Sequence, residues 1–249
     1  MTKEVSPETG LRVLWSVVLP LLGALVFSFI AVRQVTVNPA DRGLLAVQSV
    51  GIALTSWYLG WRWYGLPGLG LRGGRPLYAG IGFAALGWLA LTIVRFFAVS
   101  IEEFGSPDTG SMFVFIMLFE AFCVQIWVFG LFFRAVADWR GPLTSAVASG
   151  ILFAALGFLL FQESYYASIS GIIFFALWGI YYGIIRLRTG SFLGTVIVQG
   201  LQSWTAWQVM VPESPIDPGQ LRNLQLIMSF FYLIFIWRLW PKREEDYRL

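Results

Sequence analysis

SMFVFIMLFEAFCVQIWVFGLFF, residues 111–133, holds one carboxylate, Glu120, and no cation. A helix of this length, at about 1.5 Å per residue, matches a hydrocarbon core of about 30 Å. In lipid only helices and closed barrels satisfy every backbone donor and acceptor, so this stretch predicts a membrane-spanning helix. Seven further apolar stretches resemble it, at residues 11–32, 42–62, 76–99, 143–161, 167–185, 190–210 and 224–240. The expected fold is all-α: a polytopic membrane protein of about eight transmembrane helices. The last span is the shortest, and Arg238 within it must reach for the interface along its apolar stem.

Composition agrees. Hydrophobic residues make up 57% of the 249-residue chain and charged residues 12%, half the share of a soluble domain. The net charge of +3 is scattered, with no basic stripe, which excludes nucleic acid as a partner. The chain contains no histidine. That removes the commonest general base near neutral pH and the commonest side-chain metal ligand. Cys123 is the single cysteine, so it forms no intrachain disulfide. The polar start, MTKEVSPETG, precedes an apolar run too long for a signal-peptide core, so a retained first span is expected.

The connections are short. GLPGLGLRGGRP (residues 65–76) reads as a glycine-rich turn, and VPESPIDPGQ (residues 211–220) as a stiff, exposed, proline-rich loop. No linker divides the chain, so residues 1–249 are expected to form one transmembrane domain. With eight spans, one side receives Lys3, Arg12, Arg62, Arg72, Arg75, Arg134, Arg140, Arg186, Arg188, Arg238, Lys242, Arg243 and Arg248. The other receives only Arg33, Arg42, Arg95 and Arg222. The positive-inside rule then places both termini in the cytoplasm, with Glu102, Glu103 and Asp108 outside.

Glu120 is the costliest residue to place. A carboxylate at that depth must be paired, hydrated or protonated. It is either a ligand, proton or partner contact, or a protonated group bonded to a neighbouring helix. Arg134 follows on the same helix about 21 Å further along, too far to touch it; Asp138, four residues on, is the better partner. In span 7, Thr195, Gln199, Gln202 and Ser203 fall on one helical face, as a cavity lining or as glue between helices. Trp57, Trp61, Trp63, Trp139, Trp237 and Trp240 lie near span ends, where aromatic belts form. Gly179 and Gly183 form a GxxxG pair that permits close helix approach.

VFGLFFRAVADWRGPLTSAVASGILFAALGF (residues 128–158) and GIYYGIIRLRTGSFLGTVIVQGLQSW (residues 179–204) carry a resemblance. They are similar to the CPBP family of intramembrane proteases, which includes the type II CAAX prenyl endopeptidases and bacteriocin-immunity-like proteins. LPGLGLRGG resembles the segment those proteins carry before their third span. The family pattern is EExxxR, then FxxxH, then HxxxN or HxxxD. Arg134 and Phe153 match it. The glutamate pair is replaced by Phe129 and Gly130, the first histidine by Gly157, the second by Gln199, and the last Asn or Asp by Ser203. The resemblance implies a CPBP-like bundle with its core at about residues 110–210. The family's acid–base set, which activates water for peptide cleavage, is absent, since Phe, Gly and Gln do not abstract protons near neutral pH.

Three functions are compatible with this. One is a catalytically inactive scaffold or assembly subunit of a membrane complex, as some relatives linked to pigment–protein assembly are. The second is a binder or transporter of a lipid, isoprenoid or pigment, with Glu120, Arg134, Gln199, Gln202 and Ser203 as cavity or partner contacts. The third is a residual protease using Glu120. No catalytic residue, metal site or resident cofactor is expected, while bound lipid or pigment stays open. The expected partners are membrane lipids and other integral membrane proteins, in a membrane of bacterial plasma (inner) type.

Overall fold

The computed structural model describes residues 7–34, 42–105, 109–160, 168–212 and 216–249. Lys3, Asp108, Phe161, Ala167 and residues 213–215 of the proline-rich loop lie outside them. Each expected span falls on a helix: α1 (Pro7–Gln34), α2 (Arg42–Leu69), α3 (Arg75–Ala98), α4 (109–140), α5 (Pro142–Leu160), α6 (Ile169–Thr189), α7 (193–209) and α8 (Pro218–Leu239). Among the described residues four helices are long and apolar enough to cross a membrane: Glu8–Arg33, Arg75–Ala98, Gly110–Arg140 and Ile169–Thr189. The molecule is an all-α membrane protein.

Local chemistry sets the helix ends. Gly141, at φ 95°, stops α4 seven residues beyond the expected end, because nothing earlier interrupts the helical run. Gly190 closes α6 in the left-handed conformation, its N–H bonding to Arg186 O. Asp217 caps α8, accepting from the N–H groups of Gly219 and Gln220, with Pro218 in the first turn. The glycine-rich turn holds more helix than expected. Gly65 breaks α2 (φ 70°, ψ 166°), and the chain runs helically again to Leu69. Among the described residues, β1 (Ile101–Phe104) pairs antiparallel with β2 (Met210–Pro212), so part of the proline-rich loop is a strand rather than a free loop.

α4 is irregular inside. Two π-helical stretches, Ile116–Phe122 and Ile126–Phe132, interrupt its α-helical turns. A π turn bonds i to i+5, so residues five apart come to share a face. A third π stretch, Thr205–Val209, ends α7.

Small residues decide which helices touch. A Cβ on Gly179 would lie 2.8 Å from Gly150 Cα, and one on Gly183 would lie 2.6 Å from Ala146 O. The GxxxG pair of α6 therefore seats α5 at backbone distance. α3 meets α7 the same way, at Gly80 and Gly194, and α1 meets α2 at Gly23 and Gly51. The core gathers around α4, α6 and the start of α7, with Trp127, Phe129, Phe133, Tyr181, Tyr182 and, just before α7, Phe192, all at most 1% exposed. α1 presents Leu21, Leu22, Leu25, Val26 and Phe29 outward, the composition of a lipid face. Trp57, Trp61, Trp237 and Trp240 are exposed, and Trp57 stacks on Trp61.

Candidate functional site

α4 and α7 run antiparallel, and a ladder of polar side chains joins them. Ser203 Oγ donates to Glu120 Oε1 at 2.6 Å. Gln125 Nε2 donates to Gln199 Oε1 at 2.7 Å, and Thr195 Oγ1 lies 2.5 Å from Gln125 Oε1. Gln125 and Thr195 are wholly buried, and Gln199 and Ser203 nearly so. A Cβ on Gly200 would lie 3.0 Å from Met117 Cα, so the glycine brings the two backbones close enough for these short side chains to meet. The partners satisfy one another, as polar groups in hydrocarbon must.

The expected stripe of α7 is divided. Thr195, Gln199 and Ser203 face α4. Gln202 turns to α8, with Nε2 3.5 Å from the Tyr232 hydroxyl, and its Oε1 is buried without a hydrogen-bond partner among the described residues. Arg134 stands apart from the ladder and pairs with Asp138 at 3.2 Å, in the i, i+4 relation expected. Its guanidinium lies over the Tyr64 ring, 5.7 Å from the centroid. Gln125, the hub of the ladder, was missed by periodicity. An α-helix turns about 100° per residue, which puts a residue five positions on some 140° off the Glu120 face. The π stretch Ile116–Phe122, which carries Glu120, brings it back.

The motif positions of α4 and α5 are packed shut. Phe129 is wholly buried, its ring 5.8 Å from Phe153 and 6.2 Å from Tyr182. Phe153 in turn meets Trp178 edge-on at 5.4 Å. A Cβ on Gly130 would sit 3.2 Å from Leu69 Cδ1 and 3.3 Å from Phe192 Cε1; one on Gly157 would sit 3.3 Å from Phe175 Cδ1. Aromatic rings thus occupy the surroundings of Phe129, Gly130 and Gly157. Gln199 and Ser203 do reach α4, but at Gln125 and Glu120, one and two turns outward of residues 129 and 130. The one carboxylate in this region is bonded to a hydroxyl, with no imidazole in the chain to complete an acid–base pair. No group of three metal-binding side chains occurs among the described residues.

Residues 106–205 match the family model described as type II CAAX prenyl endopeptidase, Rce1-like. This part of the chain is similar to that family. No curated protein matches the chain. The Rce1-like segment begins just before α4 and ends where α7 turns into its π stretch, so it contains the whole α4–α7 ladder and every motif position.

Proposed function

We propose that this Rce1-like membrane protein cleaves no peptide bond and serves as a scaffold or assembly subunit of a membrane protein complex. The observation that carries the reading is the filling of the motif positions. Phe129 is enclosed by Phe153 and Tyr182, Gly130 faces Leu69 and Phe192, and Gly157 faces Phe175. Hydrolysis needs a base within hydrogen-bond reach of a water and room for that water beside the scissile bond. Packed rings supply neither. The α4–α7 ladder supports the same reading, because its side chains bond to each other and bind the two helices together. What persists is the bundle, and fold alone carries no activity with it. Its partner would be another integral membrane protein of the bacterial plasma membrane.

Purification in mild detergent followed by mass spectrometry tests the proposal. A stoichiometric protein companion is the expected result. A lipid, isoprenoid or pigment retained in its place would favour the small-molecule reading. Cleavage of a peptide in reconstituted bilayers, abolished by Glu120→Gln, would overturn the proposal in favour of a protease.

A further inference from the structure

Arg186 lies in the last turns of α6 and is wholly buried. Its Nε donates to Phe129 O at 3.2 Å and its Nη2 to Gly68 O at 3.1 Å, both neutral acceptors. Its Nη1 is buried without a hydrogen-bond partner among the described residues. Neither Asp138, which pairs with Arg134, nor Asp246, which pairs with Arg188, reaches Arg186, and no carboxylate among the described residues forms an ion pair with it. Its neighbours are other arginines. The charges of Arg72 and Arg134 act on it. Arg134 lies over the Tyr64 ring and gives Nη2 to Asp138, and Arg72 gives Nε to Pro67 O and Nη2 to Leu249 O, which leaves Arg72 Nη1 and Arg134 Nη1 outside those bonds. Arg134 Nε is likewise buried without a hydrogen-bond partner among the described residues. The glycine-rich turn covers the group. Gly70, at φ 98°, lies so close that a Cβ there would fall 2.5 Å from Arg186 Nε.

A buried cation among like charges is strongly unfavourable unless an anion joins it. We propose that this cluster between α2, α4 and α6 binds a phosphate oxyanion, with Arg186 Nη1 as the inner donor and Arg134 and Arg72 as flanking donors. The phosphate is that of an anionic phospholipid headgroup or of a free phosphate in the aqueous phase. Guanidinium forks match such oxygens in bidentate geometry. A tetrahedral oxyanion presents acceptors in several directions, as donors from two helices and the glycine-rich turn require, whereas a planar carboxylate presents two oxygens in one plane. The segment of residues 65–75, with positive φ at Gly65, Gly70 and Gly74, is the cover that moves to admit it.

Thermal unfolding of the full chain tests this in two arms. In delipidated detergent solution, inorganic phosphate is compared with chloride at equal ionic strength. In nanodiscs, phosphatidylcholine is compared with a phosphatidylcholine–phosphatidylglycerol mixture. A rise in the midpoint of about 5 °C or more is expected in at least one arm. Phosphate acting in detergent identifies a free oxyanion; phosphatidylglycerol acting alone identifies a headgroup. Arg186→Gln should abolish the rise, while Arg238→Gln, an exposed arginine outside the cluster, should retain it. Should Arg186→Gln not be recoverable, Arg134→Gln and Arg72→Gln serve, each expected to reduce the rise at least by half. The proposal is overturned if neither arm shows a rise or if the cluster variants keep it in full. It is also overturned if Arg186→Gln raises the midpoint in chloride and leaves no anion dependence, the mark of a merely unpaired charge.

Discussion

Glu120 and Ser203 make one short bond between α4 and α7. Replacing Ser203 by Ala deletes the donor while the carboxyl stays, and should lower stability by about 1 kcal/mol. Glu120→Gln keeps an acceptor of the same shape and should change stability by less than that. Reversible unfolding in defined micelles or bicelles reads both, and a Glu120→Gln loss larger than the Ser203→Ala loss would contradict the pairing. Gly130 makes the opposite kind of prediction. Restoring the family's glutamate there drives a carboxyl against Leu69 and Phe192, and should cost about 3 kcal/mol or more from overpacking and membrane depth together. Gly157→His meets the Phe175 ring and should cost about 1–3 kcal/mol. Neither variant is expected to cleave peptide, singly or combined, in a reconstituted protease assay.

The eight helices could be located from hydropathy alone because each apolar run is bounded by charges, glycines or prolines. The contacts of Gly179 and Gly183 with α5 follow from a spacing visible in the chain. The ladder did not follow. Gln125 falls off the Glu120 face on an α-helical wheel, and the π stretch that realigns it, Ile116–Phe122, is recorded by no local pattern. Gln202 fell into the α7 stripe on that wheel, yet it lies about 60° from Gln199 and so faces the next neighbour, Tyr232. Arg186 counted as an interfacial cation, and only the fold of residues 65–75 over it makes it a buried one. Gln125→Leu should therefore cost about 2 kcal/mol, since it strands the buried Gln199 amide while Thr195 keeps its bond to Phe192 O, whereas an outward residue of α4 such as Leu118 should tolerate Ala at under 1 kcal/mol. Gly179→Leu should wedge α5 from α6 and prevent recovery of folded protein, as judged by size exclusion.

For the molecule as a whole, the last residues fold back over the arginine-rich end. Arg248 N–H bonds to Leu187 O, Arg72 Nη2 donates to Leu249 O, and Asp246 accepts from the N–H groups of Lys242 and Arg243 near Arg188. Those N–H groups, with Arg188 and Arg243 beside them, hold the Asp246 carboxyl below the usual carboxylate range. Its contribution is fully present above the unfolded pKa of about 3.9 and is lost as the pH falls through the lower folded value. Hydrogen exchange at Arg248 should thus be insensitive to pH, after correction for intrinsic rates, down to about 4 and lose protection below it.

The ribbon of β1 and β2 fastens the end of α3 to the end of α7, while the returning tail fastens α6 at the other extremity. A bundle laced at both extremities resists shear between its helices. An intramembrane hydrolase must part its helices to let an extended strand slide in sideways from the lipid. Here any such parting that separates α3 from α7, or the tail from α6, has to unzip one lacing or the other.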